Sequence, residues 1–425
     1  MLAKSEKIVE EYKMSRLGYI PIDWEIKQLS EVLSINPENL SRSTPSDLSI
    51  KYIDIESVTN GEITKYKDYI FSEAPSRARR KVRKNDVLLS TVRPYLKAFT
   101  IIKDDKENLI CSTGFAVLRS SNEVESDYVY HYIFSDIYLN QLLSQMRGSN
   151  YPAVNSKDVE ESLIILPSIP EQQKIVDIFS TVDKKIKNND QLISKTKELK
   201  KGLMQQLLTK GIGHKEFKTT DIGEIPIVWE TKKFIEITDV LKCGVASTPE
   251  YVENGVPFLS SQNVKENKLI LDKYNFISKE YHEELTKKYK PAKGDILYTR
   301  VGANFGKSTI VDVDWEFSVY VSLTLIRMKE NYDSLFYSYL LNSEKYQRLA
   351  KSKVFQGGGV PNLNVGEVEK FDMVVPPLQE QRKIAQILSS VDEKIKNYEL
   401  EKEKYIELKK GLMQQLLTGK LRVTV

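Results

Sequence analysis

Gly302-Ala-Asn-Phe-Gly306-Lys307-Ser308 is the stretch that comes nearest to catalytic machinery. A phosphate-cradling P-loop needs four residues between its glycines and a helix after the Lys-Ser. Here three residues intervene and a strand-like run follows, so nucleotide binding is not expected. The adenine-methyltransferase marks Asn-Pro-Pro-Tyr and Phe-x-Gly-x-Gly are absent, and Glu-x-Lys triplets such as Glu198-Leu-Lys200 arise by accident in any Lys/Glu-rich helix. His131, His214 and His282 have no other plausible ligand beside them, and Cys111 and Cys243 lack metal-like or redox spacing. No Ser/His/Asp or Cys/His set presents itself. These residue types describe a binder and not a catalyst, with no metal or cofactor of its own.

Groups able to hold nucleic acid are more evident. Ser76–Lys84 packs six cations into nine residues, among them Arg77, Arg79, Arg80, Lys81 and Arg83. After the next apolar run, Arg93, Tyr95 and Lys97 alternate, which on an extended chain projects them from one side. The corresponding stretch of the second half offers Arg300, Asn304 and Lys307 on a glycine-rich loop able to approach a groove closely. Two further polar loops carry Asn150 with Tyr151, and Gln262 with Asn263. Arg reads guanine and Asn or Gln reads adenine by paired hydrogen bonds, whereas Lys and clustered Arg more often hold phosphates. For any one of these residues a solvated surface loop is the competing reading.

The elements that position these residues come in two copies. Glu171–Thr209 matches Glu380–Thr418 without a gap at a constant offset of 209, and Glu198–Thr209 is identical to Glu407–Thr418. Glu11–Glu25 matches Glu216–Glu230; Lys84-Asn-Asp-Val matches Lys293-Gly-Asp-Ile; Pro152-Ala-Val-Asn155 matches Pro361-Asn-Leu-Asn364. Between these anchors the halves diverge, which is the pattern of two readers with two targets. Val87–Val92, Phe115–Leu118, Ser162–Leu166 and Ser308–Val313 read as strands, and Asp127–Met146 and Tyr332–Leu349 as one helix per half. Prolines at 167, 170, 376 and 377 introduce the long repeat, where they make good helix starts.

Ile175, Ile178, Val182, Ile186, Ile193, Leu199, Leu203 and Leu207 recur three or four residues apart. Ile384, Ile387, Val391, Ile395, Tyr398, Leu408, Leu412 and Leu416 do the same. A lone helix with such a stripe is unstable in water, so the two stripes are expected to pair as an antiparallel coiled coil related by a pseudo-twofold. At 1.5 Å per residue the rod is about 58 Å long. Gly202 and Gly411 interrupt both helices and point to close helix approach or a bend. The net charge of +4, from 63 basic and 59 acidic side chains, says little about partners. No apolar run nears the roughly 20 residues of a membrane span and Met1–Lys7 has no apolar signal core, so a cytoplasmic location is expected.

With the duplication, the helix openings Pro170-Glu-Gln-Gln-Lys-Ile175 and Gln379-Glu-Gln-Arg-Lys-Ile384, the Lys-Lys-Gly-Leu-Met-Gln-Gln-Leu-Leu endings and the Gly-x-Ile-Pro-x-x-Trp openings at Gly18 and Gly223, the chain resembles the DNA-specificity subunit of type I restriction–modification enzymes over essentially its whole length. The resemblance implies an α+β chain. A target-recognition domain spans 1–165, a spacer helix 166–212, a second recognition domain 213–375 and a second spacer helix 376–425. It implies that each domain reads one part of a split, asymmetric DNA site and that the subunit is itself non-catalytic. Two modification subunits, binding S-adenosylmethionine, would dock on the repeated helices, and two restriction subunits using ATP and Mg would join them. A coiled-coil scaffold, or an enzyme with an unfamiliar nuclease or methyltransferase site, are the competing readings.

Overall fold

The computed structural model describes residues 11–59, 61–148, 152–302, 304–354 and 361–424. The chain forms two compact units, Met1–Asp190 with Leu400–Val425, and Gln191–Glu399. In the first, a hairpin of Tyr12–Ser15 and Gly18–Pro21 leads to Glu25–Gln28, which pairs antiparallel with Leu163–Leu166. Two four-stranded sheets lie between these in sequence. One is antiparallel throughout, in the order Thr100–Ile101, Val87–Ser90, Phe115–Ser120, Leu33–Ile35. The other runs Lys67–Ile70, Ser49–Ile53, Leu109–Ser112, Ala78–Lys81, with the middle pair parallel. Val87, Leu88, Leu89 and Phe115–Leu118 are buried, as expected of β-branched and apolar runs enclosed on both faces.

The second unit repeats this plan. Phe217–Thr220 and Gly223–Pro226 form its hairpin, and Glu230–Lys233 pairs with Asp372–Val375. Its antiparallel sheet runs Thr238–Cys243, Leu323–Met328, Ile296–Thr299, Ser308–Ile310. Its other sheet runs Asn275–Ile277, Val256–Leu259, Ser318–Val319, again with one parallel pairing.

The shared Lys-x-Asp motif has a common physical cause. Asn85 (φ 70°) and Gly294 (φ 90°) supply the left-handed residue of a tight turn. The following aspartate, Asp86 or Asp295, accepts from the turn's own N–H, at Arg83 or Ala292. Its carboxylate also takes two guanidinium bonds, from Arg119 in the first unit and Arg327 in the second, all at 2.8 Å. These aspartates are almost wholly buried, so the bidentate arginine is what makes the charge tolerable there. The same carboxylates raise the pKa of both arginines.

The single helices expected over 127–146 and 332–349 are each two helices. Ser126–Ile133 is followed by Asp136–Gln145, with Ser135 as the new N-cap. Ser334–Asn342 is followed by Glu344–Ser352, with Ser343 between them. Serine competes for backbone hydrogen bonds and favours a cap over a helix interior, which accounts for the break.

Two long helices, Ile169–Lys210 and Leu378–Leu416, follow the recognition parts. The Glu-Gln pair opening each one is an anchor. Glu171 accepts from the indole N–H of Trp24 at 2.9 Å, and Glu380 from that of Trp229 at 3.0 Å. Gln172 receives the N–H of Glu125 and donates to Pro167 O; Gln381 receives that of Asp333 and donates to Pro376 O. Each glutamine thereby ties the first turn of the long helix to the start of a recognition-domain helix. The tryptophans are fully buried beneath.

Within each unit, parts of both long helices run antiparallel. In the first, Asp183 pairs with Lys409 and Asp190 with Lys402, each at 2.6 Å. In the second, Lys200 pairs with Asp392 at 2.7 Å and Lys197 with Glu399 at 3.0 Å. Leu199 and Leu408, expected on the buried stripe, are instead about half exposed, as are Leu400 and Ile406. A Cβ built on Gly202 or Gly411 meets nothing within 4 Å, so the expected close approach does not occur at either glycine. No helix among the described residues is long and apolar enough to cross a membrane.

Candidate nucleic-acid interface

In the first unit the turn after strand Val87–Ser90 is held on both sides. Thr91 donates its N–H and hydroxyl to Gly114 O, and Val154 N–H returns to Thr91 O. Arg93 N–H bonds Pro152 O, while Val92 and Arg147 each form a bridge with Ala153. Pro94–Leu96 is a single 3-10 turn flanked by Arg93 (φ 47°) and Lys97 (φ 52°), both left-handed. The chain is therefore not extended here, and Arg93, Tyr95 and Lys97 do not share one strand face. Arg93 and Tyr95 are exposed, whereas Lys97 turns back to bond Phe134 O at 3.5 Å. Two left-handed non-glycine residues within five positions are a strained arrangement of the kind functional loops keep. Arg147, which the sequence did not single out, stands exposed beside this turn and reaches Asp158 at 3.4 Å.

The basic run divides by strand alternation and turn. Arg80, on strand Ala78–Lys81, is drawn inward, donating to Asn36 Oδ1 and Phe115 O, and burial lowers its pKa. Arg79 lies over the Phe71 ring, 4.9 Å from its centroid, and Arg83 pairs with Glu38 at 2.5 Å. Arg77, Lys81 and Lys84 are exposed. Asn150 and Tyr151 lie outside the described residues.

In the second unit Arg300 occupies the place after the equivalent strand, and each of its three guanidinium nitrogens makes a bond within the unit. It donates to Leu363 O at 2.7 Å, Val321 O at 3.0 Å and Asn362 Oδ1 at 2.8 Å, and its side chain is buried. Arg300 thus fastens the loop to the segment that precedes the second long helix, as backbone bonds do at Arg93 in the first unit. Asn263 is likewise internal: its amide accepts from Ser260 N–H and donates to Ile270 O and Lys273 O. Both residues shape the loops that others present.

The presented side chains are Gln262, exposed, with Asn304 and Lys307, half-buried. Asn304 Nδ2 bonds Ser261 O at 3.0 Å, which draws the two polar loops together, and Lys307 pairs with Glu266 at 2.8 Å. Ser261 N–H bonds Ser322 Oγ, adding a third segment to the same place. Gly302 (φ 99°) and Gly306 (φ 76°) give this loop a path that side-chain-bearing residues rarely follow. Ser261, Ser322 and Arg147 had no signal of their own in the sequence beyond adjacency to polar loops.

Each unit therefore gathers donors of the base-reading and phosphate-holding kinds at the end of its antiparallel sheet. Among the described residues no cluster of three or more His, Cys, Asp or Glu is placed to hold a metal. Burial pulls the pKa of His131 down to about 3, and it lowers that of His282 as well. The arrangement offers hydrogen bonds and positive charge to a ligand.

Relatives share this organisation. The MjaVIII type I restriction enzyme specificity subunit of Methanocaldococcus jannaschii is 29% identical over 418 residues, covering 95% of this chain and 94% of its own. The putative MjaX specificity subunit of the same organism is 27% identical over 439 residues, covering 97% of each. Among solved structures, a chain of a type I R-M system studied for complex assembly and conformational transition superposes with a TM-score of 0.62 at 24% identity, over 95% of this chain and 99% of that one. A type I restriction-modification system S subunit from M. genitalium gives 0.57 at 16% identity, over 93% and 96%. The profile of the type I restriction modification DNA specificity domain matches residues 21–198 and 226–410, once per repeat. Those two matches take in most of the chain, and it belongs to the type I restriction–modification DNA specificity family.

Proposed function

We propose that the two units each read one part of a bipartite, asymmetric DNA site, and that the chain acts as the specificity subunit of a multisubunit methylating and restricting assembly. One observation carries this reading. The framework residues recur between the copies, Trp24 and Trp229, Glu171 and Glu380, Asp86 and Asp295, while the loops they hold differ in sequence and conformation. A frame that repeats and loops that do not is what two different half-sites require.

In this reading the exposed Arg93, Tyr95 and Arg147 act on one half-site, and Gln262, Asn304 and Lys307 on the other. Phosphate contacts fall to Arg77, Lys81 and Lys84. The continuous long helices set the spacing between the half-sites. The modification subunits, with S-adenosylmethionine, dock on the repeated helices, where Leu199 and Leu408 leave apolar surface exposed. Restriction subunits with ATP and Mg complete the assembly, two of each, in the cytoplasm. Exchanging residues 30–160 for those of another specificity subunit, then mapping methylated adenines, tests the modular model. One half-site should change and the other persist; a change in both would sink the model. Adding a helical turn to both long helices should alter only the non-specific spacer.

A further inference from the structure

The two copies differ in charge on one recognition-domain helix. Glu344–Ser352 of the second unit aligns with Asp136–Gln145 of the first, Tyr346 with Tyr138, both fully buried. On the outer face Arg348 stands where the first unit has Asn140, and Lys351 where it has Leu143. Leu143 packs against the first unit's core, as do Leu412 and Met413 of the long helix. Lys351 cannot follow it into such a core without a partner for its charge. In the second unit the helix and the long helix instead line a groove of about 1630 Å³. Lys201 of the long helix, Arg348 and Lys351 are among its lining residues, and so are Gly302, Phe305 and Lys307 of the polar loop.

All three of these outer cations are exposed, and among the described residues no ion pair within 4.0 Å engages Lys201 or Lys351, while Arg348 pairs with Glu344 on its own helix. Of the groove's other cations, Lys200 pairs with Asp392, Lys197 with Glu399 and Lys307 with Glu266, while Lys345 donates to the carbonyl of Ile222. The uncompensated charge thus lies on one side of the loop that holds Asn304 against Ser261. Lysine and arginine next to base-reading amides are the usual means of holding phosphates that flank the bases being read.

We propose that Lys201, Arg348 and Lys351 form a phosphate-anchoring rim for duplex DNA in the second unit, with no counterpart on the first unit's helix. The proposal rests on the reading of the chain as a DNA-specificity subunit. The two half-sites are then held differently, the second with additional backbone contacts beyond its base readers.

The test uses the chain assembled with its modification subunits and a duplex carrying the mapped site. Binding is measured from low to moderate salt for the wild type and for Lys201→Ala/Arg348→Ala/Lys351→Ala. Each lost phosphate contact lowers the slope of log K against log salt by about 0.9, so the triple variant is expected to lose roughly two to three units of slope. The methylated sequence should stay the same. Asn140→Ala/Lys410→Ala on the first unit should leave the slope nearly unchanged. An unaltered slope in the triple variant, with normal wild-type binding, would overturn the rim. So would failure of that variant to assemble, since the groove would then belong to a protein partner. A wild-type assembly without salt-dependent DNA binding would overturn the specificity reading and the rim together.

Discussion

Lys409 on the second long helix closes on Asp183 of the first at 2.6 Å, and the relation recurs in the second unit as Lys200 with Asp392 at 2.7 Å. The partners are the same two repeat positions with the helices exchanged. In the second unit Tyr339 adds its hydroxyl to Asp392 at 2.6 Å, and that hydroxyl's pKa is raised by burial and by the carboxylate. In the first unit the position of Tyr339 is taken by His131, which makes ring contact with Phe179 of the long helix.

The two ion pairs should differ in strength. Lys409→Ala removes a partly exposed pair and is expected to cost about 1 kcal/mol. Lys200 is more enclosed, and Lys200→Ala leaves the half-buried Asp392 with the Tyr339 hydroxyl and without its cation, so a loss of about 2 kcal/mol is expected. Denaturant unfolding of the two variants checks the order. Equal losses would show that Tyr339 adds nothing.

Acid should weaken the first unit through His131. Its folded-state pKa of about 3 lies below the ordinary 6.5, so the unfolded chain binds the extra proton between those values. The contribution is complete above about pH 6.5 and declines as pH falls, by up to about 1.4 kcal/mol per pH unit. His131→Phe should flatten the decline between pH 6.5 and 5, where carboxylates with lowered pKa values have not yet taken up protons. His282→Phe should flatten only the part that belongs to the second unit. Melting temperature against pH for both variants decides this.

Glu171 is held by a different partner from its counterpart. Arg422, in the segment after the second long helix, meets Glu171 at 2.7 Å and Asp23 at 2.9 Å; His214 meets Glu380 at 2.8 Å. Arg422→Ala leaves the buried Glu171 with the Trp24 N–H and without its cation, at an expected cost of about 2–4 kcal/mol. Arg422→Lys should restore less than half, because one ammonium cannot serve both carboxylates bidentately. Tryptophan fluorescence during unfolding reads the site directly.

The two helix glycines give a prediction of opposite sign. With open space at Gly202 and Gly411, Gly202→Ala and Gly411→Ala should each stabilise the chain by up to about 1 kcal/mol. A lower melting temperature in either variant would mean the helix backbone there is not regular.

Much of this was legible in the sequence, because the repeat fixed the boundaries of the long helices and the periodicity their buried side. The true stripe, however, passes through polar residues. Val182, Ile186, Asn189, Ile193, Thr196, Lys200 and Met204 face inward in sequence order, and Leu199 falls one residue to the side. A reading by hydropathy steps over Lys200 to reach Leu199, since only the partner helix shows that an aspartate receives the lysine. The same limit applied to the binding residues. Arg80, Asn263 and Arg300 have the chemistry of readers, but their bonds go to carbonyls and amides of distant segments. Residue type announces a donor; only the fold decides whether it points inward.

The first unit is assembled from two separate stretches, Met1–Asp190 and Leu400–Val425, whereas the second is the unbroken run Gln191–Glu399. On the ribosome, the half that is translated first is therefore the last to be completed. It must wait, without Leu416, Leu417 and Arg422, until the segment Leu400–Val425 emerges. A message truncated just after Glu399 would yield a chain with the second reader's residues all present and the first one unclosed. Completion of the first reader thus depends on codons that lie beyond the whole of the second.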